Sequence, residues 1–306
     1  MKHPSNLRIG IVGAGAAGLM TAESLRNKGY TDITVLERSE RAGGKCLSIT
    51  HEGRSYELGA GVISSSSHDI LHLAKKYNVP MCLVDFSAQL YLDADTGKPV
   101  ERTSGETVRL LWEVFRYYRL ARKYRALLEP GYFKVPPELT PPFAVFAKEH
   151  GLELLAEEFA KYFTGFGYGF FEDVPTAYVF KYYPWDIVFA YFKQSFYKFP
   201  DGIQGLWTAV ADAHHVEYGV DIQRVERGSE IQVTTSKGKF TFDALVIASP
   251  LDEALRYLDP DEEERELFRA IQWCDYRTYA CRLSGFPKTT GYVPKNFQSH
   301  RLGHPV

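Results

Sequence analysis

The sequence lacks several features that would assign it to a class quickly. Its four cysteines (Cys46, Cys82, Cys274, Cys281) form no Cys-x-x-Cys pair and no zinc-site spacing. Reduced thiols in a cytoplasmic protein are the expectation. The formal net charge is only -2, so nothing at this level points to nucleic acid. No charge-free apolar run is long enough to span a bilayer. The polar start, Met1 to Arg8, leads into a strand containing glycine and does not read as a secretory signal. Repeats and low-complexity tracts are absent as well. The 306 residues suit one large domain or two intertwined ones, with 45% hydrophobic residues to build a core.

Aromatics, by contrast, are plentiful, with 20 Tyr and 20 Phe concentrated between Trp112 and Phe199. That excess suits a flat or lipid-like ligand and suits an ordinary core equally well. Hydrophobic patterning predicts a strand over Leu7 to Val12, a helix over Ala16 to Arg26 and a strand over Ile33 to Leu36. Helices are predicted over Ser67 to Tyr77, Thr107 to Leu128, Leu152 to Tyr162, Ile187 to Phe196 and Leu206 to His215. Strands follow over Asp221 to Val225, Glu230 to Thr235, Lys239 to Phe242 and Ala244 to Ala248. The glycine-aromatic stretch Phe163 to Phe171 takes no assignment.

The first strand runs into Gly13-Ala14-Gly15-Ala16-Ala17-Gly18. Gly13 permits a tight turn, Gly15 lets a pyrophosphate approach the backbone, and Gly18 lets helix and strand pack closely. Ala16 and Ala17 open the helix, whose free N–H groups and dipole favour an anion. Glu37 ends the second strand, nineteen positions after Gly18. A carboxylate there can accept both hydroxyls of an adenosine ribose and would repel a 2′-phosphate. This pattern expects the ADP half of a dinucleotide.

The following loop, Arg41-Ala42-Gly43-Gly44-Lys45, completes a Glu-x-x-x-Arg-x-Gly-Gly arrangement that resembles the flavin amine oxidase superfamily. The resemblance implies non-covalent FAD, with Gly43 and Gly44 bringing backbone N–H groups to the cofactor. Arg38, Arg41 and Lys45 would offset its phosphate charge. Tyr56-Glu57-Leu58-Gly59-Ala60-Gly61 is similar to the family segment that passes the isoalloxazine, and Pro200 to Leu206 to its Pro-x-Gly turn and helix. Val220 and the strand up to Val225 are similar to the strand whose backbone holds the adenine.

Within the superfamily, Phe163 to Gly169, Val174 to Val179, Gly291 to Pro294 and Arg301 to His304 resemble the polyenoic fatty acid isomerases of the propionibacteria. That family shifts a double bond: a hydride leaves the allylic carbon for the flavin and returns to a different carbon. By this resemblance Phe166 and Tyr191 stand where two aromatics flank the fatty chain, Tyr191 replacing a Phe. The small-molecule partner expected is therefore apolar and fatty-acid-like. The resemblance breaks at Asp85-Phe86-Ser87-Ala88-Gln89-Leu90, where the family has an arginine for the carboxylate and this chain has no cation. Either the substrate is not a fatty acid or its carboxylate is held elsewhere. An amine oxidase is the alternative. It commonly carries a Lys in the strand equivalent to Arg277 to Leu283, which has none, although Lys288 and Lys295 lie nearby.

The expected fold is α/β: a Rossmann-like FAD-binding domain, discontinuous over 1–85 and 200–260, and an inserted helical and mixed-sheet (α+β) substrate domain over 86–199 and 261–306. The family's closing Gly-Asp or Gly-Glu turn and final helix have no counterpart before Val306, so a C-terminally incomplete fold, and an inactive FAD-binding fragment, stand as a further expectation. No metal site is expected, since His68 with His72 and His300 with His304 offer spaced pairs without a third ligand. The helix predicted over 107–128 has Arg109, Arg116, Arg119 and Lys123 along one face and Leu110, Val114, Tyr117 and Tyr124 on another. Its two expectations are a solvated face and a peripheral membrane contact.

Overall fold

The computed structural model describes residues 6–85, 90–93, 96–132, 134–282, 284 and 290–293. The chain divides into two compact units, Met1–Leu83 with Tyr197–Trp273, and Val84–Phe196 with Cys274–Val306.

The first unit begins with β1 (Ile9–Val12), all four residues buried, then α1 (Ala16–Asn27) and β2 (Ile33–Leu36). Two hairpin strands follow, β3 (Ser48–His51) and β4 (Arg54–Glu57), then β5 (Val62–Ser64), α2 (His68–Lys76) and β6 (Cys82–Leu83). The second unit supplies β7 (Leu90–Asp93), α3 (Ser104–Lys123), α4 (Phe143–Glu149), α5 (Glu153–Phe163), α6 (Thr176–Tyr182) and α7 (Trp185–Lys193). Next come β8 (Phe196–Lys198), α8 (Ile203–Asp212), β9 (His215–Glu217), β10 (Ile222–Arg227), β11 (Ile231–Thr235), β12 (Gly238–Phe242) and β13 (Ala244–Ile247). The short α9 (Leu251–Ala254) and α10 (Glu262–Arg269) follow, and β14 (Thr290–Val293) closes the described chain.

A parallel sheet in the order β13-β1-β2-β9 organises the first unit. β1 takes its central place because its four residues are apolar on both faces, as a strand covered on both sides must be. Gly10 allows this packing: a Cβ there would stand 2.6 Å from the Phe242 ring. β13 returns the chain from the meander β10-β11-β12 to the edge of β1, with Ile9 opposite Ala244 and Val12 opposite Ile247. The helix expected through His215 ends at Asp212. His215–Glu217 instead pairs with Thr34–Leu36, satisfying the open side of β2, whose backbone groups need partners.

The second unit is chiefly helical, and its aromatics are its core. Tyr117 is fully buried, stacks on Phe180 at 5.0 Å and donates its hydroxyl to the Tyr183 carbonyl at 2.7 Å. Tyr183 stacks on Phe159 at 3.9 Å and donates to the Phe159 carbonyl at 2.7 Å. Each buried ring thus keeps its polar end satisfied. The face of α3 bearing Val114 and Tyr117 turns into this core, with Tyr124 just beyond the helix end, so it is unavailable as an outward apolar face. α3 starts where Thr103 and Glu106 form a reciprocal capping box.

Candidate functional site

Three glycines of the first turn have different physical reasons for lacking a side chain. Gly13 has φ +102°, a left-handed conformation that costs other residues energy. At Gly18 a Cβ would stand 1.9 Å from the Gly13 carbonyl oxygen, so packing forbids it. Gly15 has an ordinary extended backbone (φ -75°, ψ 178°), and only the Gly44 Cα, at 3.8 Å, lies within 4 Å of where its Cβ would be. Neither strain nor packing keeps Gly15 small. The space before it, at the start of α1, which no side chain caps, is where a phosphate would sit.

Glu37 is fixed beside this turn. Its Oε2 accepts the Ala14 N–H at 2.7 Å and its Oε1 accepts the Ser39 N–H at 2.8 Å. The Glu37 side chain is partly buried, with further acceptor capacity on both oxygens. Val220 is buried and donates its N–H to the Glu37 carbonyl at 2.8 Å, two residues before β10 begins.

The loop after Glu37 closes onto the glycine turn. Gly43 donates to the Ala14 carbonyl at 2.9 Å and bridges to Gly15. Gly43 and Gly44 both have positive φ, and a Cβ on Gly44 would meet the Gly15 Cα at 3.0 Å. The segment before β5 lies against the same loop: Leu58 donates to the Leu47 carbonyl and Ala60 to that of Lys45, at 2.7 and 3.3 Å. Gly59 allows the contact, since its Cβ would fall 1.8 Å from the Lys45 oxygen. Gly61 is buried where a Cβ would strike the Glu57 side chain. The result is one surface of small residues, with Ala17, Gly44, Gly59 and Ala60 exposed along it.

The cations already have partners. Arg38 pairs with Glu253 at 3.4 Å. Arg41 donates to the Gly44 carbonyl at 2.9 Å and the Ala42 carbonyl at 3.3 Å, which pins the loop's own shape. Lys45 lies over the Trp273 ring at 4.7 Å, and Trp273 donates to Asp252 at 2.8 Å. Sequence spacing gave no sign of that neighbour, more than two hundred positions away. Beneath the loop, burial pushes the Cys46 thiol up. Glu57 accepts from Ser48 Oγ at 2.6 Å and from the Ile203 N–H at 2.8 Å, capping α8 rather than facing outward. The open space before Gly15 and the anchored Glu37 fit a dinucleotide.

In the second unit Phe166 and Tyr191 meet through a residue that the sequence did not single out. Tyr162 lies 6.0 Å from the Phe166 ring, edge-on, and 4.8 Å from the Tyr191 ring. The helical step from Tyr162 to Phe166, carried on by the 3-10 turn Thr164–Phe166, was the one available signal. Phe166 is 53% exposed, while burial and neighbouring tyrosines push the Tyr191 hydroxyl far above its ordinary value. Of the stretch aligned with the family arginine, Asp85 is described and 86–89 lie outside the described residues, as do Pro294, Lys288, Lys295 and 300–304. Arg277 pairs with Asp275 at 3.1 Å. Among the described residues no group of three His, Cys, Asp or Glu side chains could hold a metal ion.

The sequence pattern of the flavin containing amine oxidoreductases matches residues 16–297. The chain belongs to that family. Its cofactor is FAD. The chain is similar over 72 residues, at 36% identity, to mitochondrial protoporphyrinogen oxidase of Nicotiana tabacum, covering 24% of this chain and 14% of that protein. An uncharacterised protein, R656, of Acanthamoeba polyphaga mimivirus is 23% identical over 310 residues, covering 87% and 62%. The chain thus spans less than two thirds of these curated relatives. The crystal structure of a CLA-producing fatty acid isomerase from P. acnes superposes with a TM-score of 0.88 at 31% identity, covering 99% of this chain and 73% of that one.

Proposed function

We propose that this family member moves a double bond in a long, apolar, polyunsaturated substrate of the fatty acid class, with FAD held non-covalently on the first unit and the apolar chain on the second. The observation that carries this is the grouping of Phe166, Tyr162 and Tyr191, together with the 31% identity to the P. acnes isomerase over nearly the whole chain.

Bound FAD supplies a two-electron hydride acceptor and donor at N5. Gly13, Gly15 and Gly18, with Ala16 and Ala17 at the start of α1, would receive the pyrophosphate. Glu37 would accept the ribose hydroxyls, and Val220 would border the adenine. Gly43, Gly44 and Lys45, with Gly59, Ala60 and Gly61, would lie along the flavin half. Arg38 and Arg41 act indirectly, through Glu253 and the loop carbonyls. The three aromatics would hold the pentadiene flat and keep water from a carbon that becomes cationic when hydride leaves. A neutral phenol at Tyr191 suits that task, and the rings around it, Tyr162, Tyr182 and Phe196 among them, bring no formal charge.

The test is incubation of the purified yellow holoprotein with linoleic acid, following conjugated-diene absorbance, beside putrescine and aromatic amines, following peroxide. Conjugation without peroxide is expected. Peroxide from an amine with no diene overturns the proposal in favour of amine oxidation.

A further inference from the structure

α3 is apolar on two sides. One side is the core face already described. The other consists of Val108, Leu111, Trp112 and Phe115, spaced by three and four residues, each between 50% and 63% exposed. The Trp112 and Phe115 rings meet edge-on at 6.2 Å. Single exposed apolar residues are ordinary, whereas four adjoining large ones mark an interaction surface.

The same outward face becomes basic along its length. Arg119 stands one helical turn beyond Phe115, and Arg122 a further turn on, with Arg116 and Lys123 at the flank. The carboxylates of α3 itself are kept off it, and Glu138, from outside the helix, pairs with the flanking Lys123 at 3.5 Å. Glu106 is spent in the capping box, and Glu113 is buried, accepting from Arg109 at 2.7 Å and the Leu155 N–H at 2.8 Å. Within Ser104–Lys123 the outward face therefore offers apolar bulk followed by positive charge alone.

We infer that this face of α3 docks on a membrane surface carrying anionic headgroups, with Val108, Leu111, Trp112 and Phe115 in the interface and Arg119 and Arg122 on the phosphates. The two halves of the face match the two layers such a surface presents, an apolar boundary and a negative headgroup plane. Trp suits that boundary, and long Arg side chains reach from it to the headgroups. A second copy fits less well. Two-fold pairing with antiparallel helices would bury Arg119 and Arg122 against the partner's apolar cluster with no carboxylate to meet them, and parallel pairing would set arginine against arginine. No described helix is long and apolar enough to cross a membrane. The inference stands independently of the substrate class.

The experiment is co-sedimentation of the full chain with vesicles of phosphatidylcholine alone, or of phosphatidylcholine mixed with phosphatidylglycerol, at low and high salt. Binding to the mixed vesicles is expected, with loss on pure phosphatidylcholine and in high salt. The pairs Trp112→Ser with Phe115→Ser, and Arg119→Glu with Arg122→Glu, should each lower binding about tenfold or more. All four positions are exposed, so unchanged melting temperatures confirm that the variants fold. No binding to mixed vesicles overturns the inference, as does binding that neither pair weakens. A dimer in light scattering that Trp112→Ser with Phe115→Ser splits, without vesicle binding, also overturns it and assigns the face to a second copy.

Discussion

Glu37 and Ala14 are joined at 2.7 Å, carboxylate to backbone N–H, which ties the end of the second strand to the turn after the first. Ser39 holds the other carboxylate oxygen at 2.8 Å. Glu37→Gln leaves one of these N–H donors facing an amide nitrogen, and Glu37→Arg places a cation where ribose hydroxyls need an acceptor. Hydrogen bonds to charged groups contribute about 1.5–3 kcal/mol, so Glu37→Gln should weaken FAD binding about tenfold, and Glu37→Arg further. Fluorescence titration of the apoprotein measures it. Unchanged affinity would remove Glu37 from the cofactor site.

Gly15 and Gly18 should respond differently to one added methyl group. Gly18→Ala drives a Cβ into the Gly13 carbonyl at 1.9 Å, and overpacking of this kind costs about 1–3 kcal/mol. Its melting temperature should fall even without FAD. Gly15→Ala meets only the Gly44 Cα at 3.8 Å, so the apoprotein should melt as before while FAD affinity drops. Equal loss of stability in both variants would show that Gly15 serves packing rather than the ligand.

For the proposed isomerisation, Phe166→Leu and Tyr162→Leu each remove an aromatic contact worth about 0.5–1.5 kcal/mol. Up to about tenfold in kcat/KM on linoleic acid should be lost, with flavin content unchanged. Tyr191→Phe keeps the ring and should retain most turnover, whereas Tyr191→Leu should not. Full activity in Phe166→Leu would confine that ring to a structural role.

Stability in acid should depend on Glu23. Burial raises its carboxyl, but hydrogen bonds from Lys76, Tyr77 and His214 prevail and hold it at about 2, below the ordinary 4.5. A depressed carboxyl contributes stability that is complete above the unfolded value and lost as pH falls toward the folded one. The window is therefore pH 4.5 down to 2. Burial lowers His214 from 6.5 despite Glu23, so the folded state also resists its protonation, and a first loss begins below pH 6.5. Melting temperature should drop through both ranges. Glu23→Gln should lower stability at pH 7 by roughly 2–3 kcal/mol and flatten the dependence below pH 4.5. An unchanged acid limb would place the titration elsewhere.

Local pattern alone determined β1, α1 and β2, the glycine turn and the acid nineteen positions on. Period, turn chemistry and spacing are properties of neighbouring residues, and the βαβ unit is built from neighbours. The Arg-x-Gly-Gly loop was legible for the same reason. Its cations were legible as charges but not by partner, because Glu253 and Trp273 reach Arg38 and Lys45 only once the chain has returned.

Tertiary structure decided the rest. It made His215–Glu217 a strand because the side of β2 was open. It placed Tyr162 between Phe166 and Tyr191. On α3 the apolar positions allow two faces, and the wheel cannot say which one the core takes. Packing against Phe159, Phe180 and Tyr183 claimed Val114 and Tyr117, leaving Trp112 and Phe115 outside. Periodicity counts apolar positions along one helix, whereas burial depends on what other segments bring against it.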